Sequence, residues 1–336
     1  MKIPGYNIEW DRVIQEAQDA KKIIIRLPPG FMGYAQQIMA FIQCNSEATV
    51  VLSAEQCYGA CDYPPDIFSL KDTALKIFHF GEAPMPSISL PSSVIFFEAH
   101  SCHNNIEPLL DKAIQYLSGH IIGVTATSPF MHTVNTCSSY LKKKGYHPLS
   151  GTKGKRACYT SQILGCDLTA ATTIQSTVDS YLHIGDGYFH PLGISLATNK
   201  PVIVIDPLLK EVQKQEIMRL KDRILRQRMS TVARAYDAES YGIIICKKIG
   251  QNRMPLAHKL KQRLEKNKKK AHLLLLDTIT PSHLDYLGMD CYVSTACPRI
   301  AIDDYSLFKK PILTPLELDI LLGYKNWETY KFDQIL

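Results

Sequence analysis

The feature that most constrains this chain is a recurring pair of patterns. A short, unbroken, β-branched apolar run alternates with stretches whose apolar residues recur at helical spacing. Ile23-Ile24-Ile25, closed by Leu27-Pro28-Pro29-Gly30, is the first such run. A run so short and so apolar reads as a strand buried on both faces, as in a parallel sheet covered by helices. The stripe Trp10, Val13, Ile14 and Ala17 predicts a helix before it; a helix over 35–44 and strands at 48–52, 75–80 and 94–98 follow. The rhythm restarts with helix 106–117, strand 120–125, helix 133–144, strand 180–184, helix 191–197 and strand 201–205. A third round begins with a long polar helix over 210–236, then strand 242–246, helix 256–268, strand 271–276, a short helix at 281–287 and strand 291–294. Pro311-Ile312-Leu313 and a capped helix over 314–322 close the pattern.

Strands alternating with helices imply βαβ units. The expected fold class is α/β, with three similar small domains over 1–104, 105–208 and 209–336, each a parallel sheet flanked by helices. The repetition is one of pattern, with no obvious residue-level identity between rounds.

A chain that is 46% hydrophobic and 21% charged is ordinary globular material. Its net charge of +6 is mildly basic, short of the charge concentration of a dedicated nucleic-acid binder, so no direct nucleic-acid partner is expected. In the basic stretch 259–270, Leu256, Leu260 and Leu264 predict an amphipathic helix, whose charged side is either a solvated face or a docking surface for an acidic macromolecule. The first residues, Met1-Lys2-Ile3-Pro4-Gly5-Tyr6, form no apolar leader, and no run approaches the roughly 20 residues of a membrane span. A cytoplasmic chain without a membrane partner is the expectation.

Ten cysteines are many for a reducing compartment, where some should bind metal, do chemistry or fill core space. Cys44 and Cys246 fall in helix and strand patterns and are expected in the core; Cys102, Cys137, Cys158 and Cys291 are expected as core or bystanders. Three others sit in polar, glycine- or proline-rich segments where a strand ends, one per round. These are Cys57-Tyr58-Gly59-Ala60-Cys61-Asp62-Tyr63-Pro64-Pro65, Gly165-Cys166-Asp167, and Ala296-Cys297-Pro298-Arg299. Loops at the carboxyl ends of strands are where open α/β sheets bind ligands. Local metal motifs are absent. Cys57 and Cys61 make only a C-x3-C pair, and the C-x3-C-x2-C pattern would need cysteine where Pro64 stands. No G-x-G-x-x-G follows an expected strand, which argues against a dinucleotide-dependent dehydrogenase. By spacing alone, a three-cysteine site is one possibility among several.

Four segments together carry a more specific signal: Tyr58-Gly59-Ala60-Cys61-Asp62, Gln162-Ile163-Leu164-Gly165-Cys166-Asp167, Ile184-Gly185-Asp186-Gly187-Tyr188-Phe189-His190-Pro191-Leu192-Gly193, and Cys297-Pro298-Arg299-Ile300-Ala301-Ile302-Asp303-Asp304. Their order and residues resemble the diphthamide synthesis family, its archaeal members in particular. The resemblance implies three α/β domains that each give one cysteine, Cys61, Cys166 and Cys297, to a central 4Fe-4S cluster whose fourth iron binds S-adenosylmethionine. It also implies transfer of the 3-amino-3-carboxypropyl group to a histidine of translation elongation factor 2, a homodimer, and an unidentified electron donor. One departure is Glu82 in Phe78-His79-Phe80-Gly81-Glu82, where many relatives have histidine, so neither Glu82 nor His79 is given a catalytic role.

Around the cluster, Gly185, Asp186 and Gly187 form an expected turn whose aspartate either faces S-adenosylmethionine or only shapes the turn. His190 either hydrogen-bonds substrate or caps the next helix, and Arg299 either grips a carboxylate or pairs with Asp303 or Asp304. Two rival functions stand beside the transferase: a quinolinate-synthase-like 4Fe-4S dehydratase, and a non-catalytic cluster-binding partner subunit.

Overall fold

The computed structural model describes residues 1–55, 57–63, 74–213 and 215–336, so Pro64 and Pro65 lie outside the described residues. Three open sheets follow one another along the chain. The first orders its strands as Thr49–Leu52, Lys22–Arg26, Leu75–Gly81 and Val94–Glu98, all parallel. The third runs Lys270–Leu276, Ser240–Cys246, Cys291–Ser294 and Ile312–Leu313, also all parallel. The second runs His147–Leu149, Ile121–Ala126, Ser180–Ile184 and Val202–Asp206, with Glu211–Gln213 added antiparallel at the edge.

Numbered within each round, all three parallel sheets share the order 2-1-3-4. The sequence pattern is therefore a repeat of topology. One residue-level echo exists: Tyr181 and Tyr292, on the third strands, lie over Gly123 and Gly242 on the first strands, where a Cβ would fall 2.6 and 2.7 Å from the rings. The 2-1-3-4 order places a switch point between strands 1 and 3, and the crevice beyond their carboxyl ends is the natural ligand position.

The apolar runs become the sheet cores because they are covered on both faces; Ile23, Ile25, Ile203, Ile205, Ile243 and Ile245 are all buried. Two expectations change. The polar helix begins at Gln215, because Lys210 takes a left-handed conformation (φ 56°) and Glu211–Gln213 pairs with Val202–Asp206. Cys44 is exposed, since the helix Ala35–Asn45 buries the face of Ala35, Ile38 and Ile42, and position 44 lies off it. A two-stranded ribbon, Tyr6–Asn7 with His100–Ser101, was not expected.

The long helix Gln215–Arg234 is locked in place by Arg228, which is fully buried. Its guanidinium donates to both carboxylate oxygens of Glu317 (2.8 and 2.5 Å) and to the carbonyls of Ala301 and Ile312 (2.6 Å each). Glu317 also completes the capping box on Thr314 that starts the helix Pro315–Leu321. The arrangement ties the strand Ile312–Leu313 and the helix Pro315–Leu321 to the short helix Pro298–Ile302 that follows Cys297. The helix Met254–Lys266 buries Ala257, Leu260 and Leu264, leaving its basic side outward. Among the described residues no helix is long and apolar enough to cross a membrane.

Candidate metal centre

Cys61 and Cys166 occupy equivalent loops, each between strands 2 and 3 of its sheet, whereas Cys297 follows strand 3 of the third sheet. The expectation of equivalent loops thus holds for Cys61 and Cys166 alone. The expectation of a cysteine just past a strand end is met directly by Cys297, shortly after Ser294, but not by Cys61 or Cys166, which lie farther from Leu52 and Leu149. In the first loop, Gly59 at φ 146° lets the chain turn back so that Asp62 N–H donates to the Gly59 carbonyl (2.9 Å). Asp62 is buried; it accepts from Tyr58 N–H (2.9 Å) and pairs with Lys248 (2.8 Å). In the second loop, Leu164 and Asp167 exchange both backbone hydrogen bonds (3.1 Å each), which presents Gly165 and Cys166 at the tip of a tight hairpin. Gly165 admits no larger residue, because a Cβ would run into the ring of Phe189. Cys297 is the residue before the helix Pro298–Ile302, and the Arg299 backbone in that helix's first turn partly offsets the effect of burial on its thiol.

These three thiols converge. Cys61 feels the charge of both Cys166 and Cys297, and Cys297 that of Cys166. Burial pushes all three upward, Cys297 to about 11. Burial is again the main cause at Cys166, where the Arg156 guanidinium pulls the other way. Thiols so placed are poor thiolates alone and good ligands for a cation that supplies the missing positive charge. Among the described residues no three His, Cys, Asp or Glu side chains gather tightly enough for a single metal ion. Three sulfurs on separate loops, close enough to feel one another yet not clustered on one point, fit a polynuclear iron–sulfur group with one corner left free.

The remaining site candidates lie around the second sheet's strand 3. Gly185, Asp186 and Gly187 form a bend after Ser180–Ile184, with Gly185 buried, Asp186 exposed and Gly187 at φ 70°. His190 sits in the first turn of the helix Phe189–Thr198, which has no side-chain cap, so the capping role is not what the structure shows. Its ring stacks on His183 (centroids 6.4 Å), and burial, then Arg299, pulls it down to about 4. Arg299 pairs with Asp303 (2.8 Å) and lies over the Phe189 ring (4.8 Å). Beside Gly185, the buried atoms Thr127 Oγ1 and His183 Nε2 have no hydrogen-bond partner among the described residues, and the same holds for Ser161 Oγ.

Several residues carried no sequence signal. His79 joins Tyr63 (2.7 Å), Glu82 (3.2 Å) and Cys57 (3.9 Å) in a buried network behind Cys61. Burial alone would lower His79, but its hydrogen bonds to Cys57 and Glu82 prevail and raise it to about 9. Glu82, the departure noted above, thus serves as a partner of His79. Arg156, Gln251 and Arg253 also reach the cysteine loops; only the order of the strands could have pointed to them.

A family model described as "Putative diphthamide synthesis protein" matches residues 27–332. The 2-(3-amino-3-carboxypropyl)histidine synthase of Pyrococcus horikoshii is 33% identical, covering 94% of this chain and 90% of the relative. The protein of the same name from Methanocaldococcus jannaschii is 28% identical over 98% and 93%. A crystal structure of Dph2 from Pyrococcus horikoshii with a 4Fe-4S cluster superposes with a TM-score of 0.86 at 31% identity, covering 98% of this chain and 94% of that one. The chain belongs to the diphthamide synthesis family.

Proposed function

We propose that this chain transfers the 3-amino-3-carboxypropyl group of S-adenosylmethionine to a histidine of elongation factor 2, the first step of diphthamide synthesis, around a 4Fe-4S cluster held by Cys61, Cys166 and Cys297. The observation that carries the reading is the convergence of three half-buried thiols from loops of three separate sheets, Cys61 in the field of both others and Cys297 in that of Cys166. When bound, the cluster supplies one low-potential electron at an iron that no protein sulfur occupies.

The chain's own residues bind and orient. The unpaired Thr127 Oγ1, Ser161 Oγ and His183 Nε2 offer polar partners at the end of the second sheet. A neutral His183 and a neutral His190 take part as hydrogen-bonding groups without charge. Asp186 is exposed and would meet the α-amino group of S-adenosylmethionine, and Arg299, whose charge acts on His190, would receive its carboxylate. Asp186→Asn and Arg299→Gln should each weaken S-adenosylmethionine binding in calorimetry; unchanged affinity in both removes them from the site. With all three loop cysteines on one chain, a homodimer served by an external electron donor suffices, in the cytoplasm where the elongation factor works.

The test uses the purified chain, a strong reductant, S-adenosylmethionine labelled in its aminocarboxypropyl carbons, and elongation factor 2. Label should appear on a histidine of the factor, with methylthioadenosine released alongside. A loaded, reduced protein that gives neither product would favour the dehydratase or the non-catalytic partner.

A further inference from the structure

Residues 247–253 follow strand 1 of the third sheet, in the topological place that Pro29–Tyr34 and Ser128–Thr133 hold in the other two. This segment reaches all three cysteine loops. Lys248 pairs with Asp62 (2.8 Å), and Ile249 N–H donates to the Tyr63 carbonyl (2.8 Å). Gly250 lies against Cys61 so closely that a Cβ there would fall 2.5 Å from the Cys61 Cβ. Its carbonyl accepts from Arg156 (2.7 Å), the guanidinium beside Cys166. Arg253 donates to the carbonyls of Thr295 (2.5 Å) and Ala296 (3.1 Å), immediately before Cys297, and pairs with Asp333 (2.6 Å). Behind Cys166, Ile335 N–H donates to its carbonyl (2.8 Å), so the chain's last residues join the same bracket.

At the centre of this bracket is Gln251, only 6% exposed, whose Nε2 donates to Cys61 Sγ at 3.4 Å. Its backbone is fixed as well, since Gln251 N–H donates to the Lys248 carbonyl (2.9 Å) within the turn Ile249–Gln251. We propose that Gln251 is a positioning residue for the metal centre, its amide holding the Cys61 sulfur and raising the reduction potential of the cluster bound there. The inference rests on Cys61 being a cluster ligand.

A donor on a ligand sulfur withdraws electron density and favours the more negative, reduced state. A single such hydrogen bond should change the reduction equilibrium on the order of tenfold, ~59 mV for one electron. Lys248 and Arg156 place positive charge nearby, but neither donates to the Cys61 sulfur, so the amide's effect is separable from theirs.

The measurement is the midpoint potential of the anaerobically reconstituted full chain, followed by the electron paramagnetic resonance of the reduced cluster, with iron and sulfide counted in each sample. Gln251→Leu should carry a full cluster whose midpoint lies lower by about that amount. Gln251→Glu should give a lower midpoint at high pH that climbs back towards the parent's as the carboxyl gains a proton, a pH dependence the parent lacks. If Gln251→Leu fails to load iron, Gln251→Glu decides alone. Parent-like midpoints at every pH in each variant that loads overturn the proposal for Gln251 and leave the cysteine ligands untouched. A Cys61→Ala protein that loads and reduces like the parent overturns the ligand reading, and the role of Gln251 with it.

Discussion

Arg228 offers a prediction whose size follows from its contacts. It is fully buried and makes four hydrogen bonds: two to Glu317, itself fully buried, and one each to the carbonyls of Ala301 and Ile312. Arg228→Met fills much of the volume but leaves the carboxylate without its counter-charge and two carbonyls without a donor. Deleting one partner of a buried pair costs about 3–5 kcal/mol. The stranded carbonyls add roughly 1 kcal/mol each. Against this, Glu317 keeps the Thr314 N–H (2.8 Å) and the Tyr330 hydroxyl (3.0 Å), so the net loss should be about 5 kcal/mol. The double variant Arg228→Met/Glu317→Leu removes both charges together. It should recover only part of the loss, because the Ala301 and Ile312 carbonyls still lack a donor and Thr314 N–H and the Tyr330 hydroxyl lose an acceptor, at about 1 kcal/mol each. Urea unfolding followed by circular dichroism measures both. A single variant within about 1 kcal/mol of the parent, or a double variant no more stable than the single, refutes the reasoning. Because Ala301 belongs to the helix Pro298–Ile302 that directly follows Cys297, the single variant should also take up less iron.

Two further predictions concern the site's surroundings. Gly250→Ala puts a methyl group 2.5 Å from the Cys61 Cβ and 2.6 Å from its Cα. It should cost about 1–3 kcal/mol and lower iron uptake, and unchanged values in unfolding and iron assays would contradict the packing described. His183 is buried and held neutral in the fold, with burial first and His190 second pulling it down to about 3. Above its ordinary value near 6.5 both folded and unfolded chains are neutral there, so its contribution to stability is complete. As pH falls below about 6.5 only the unfolded chain takes the proton, so stability declines until the folded value is reached, by roughly 3 kcal/mol at pH 4. His183→Gln should flatten that decline in urea unfolding across the range, and an unaltered slope would exclude His183 as its source.

Much of the fold is legible in the sequence because buried parallel strands have no polar face to disguise them. Ile23-Ile24-Ile25 and Ile243-Ile244-Ile245 announce themselves. The same logic fails at edges. His147–Leu149, Glu211–Gln213 and the Tyr6–Asn7 ribbon are short and partly polar, and tertiary pairing alone makes them strands. The polar run through 211–213 blends into the helix behind it, and nothing local marks the left-handed turn at Lys210. Spacing could not select Cys61, Cys166 and Cys297 from ten cysteines; the four resembling segments did that. Nor could it show that Cys297 arises from a different loop of its sheet. Gln251 and Arg253 were silent because polar residues in a turn have no periodicity, and their meaning depends on three sheets meeting. Arg299 was left between two roles, and its ion pair with Asp303 coexists with a position beside His190.

The central claim is that three loop cysteines hold one iron–sulfur cluster. Its most direct test is the iron and acid-labile sulfide content of anaerobically reconstituted protein with Cys61, Cys166 or Cys297 replaced singly by alanine, beside Cys102→Ala and Cys158→Ala as controls. The parent and both controls should carry about four irons per chain with 4Fe-4S absorption that bleaches on reduction, and each of the three variants should lose it. A full, reducible cluster in any one of the three would contradict the account.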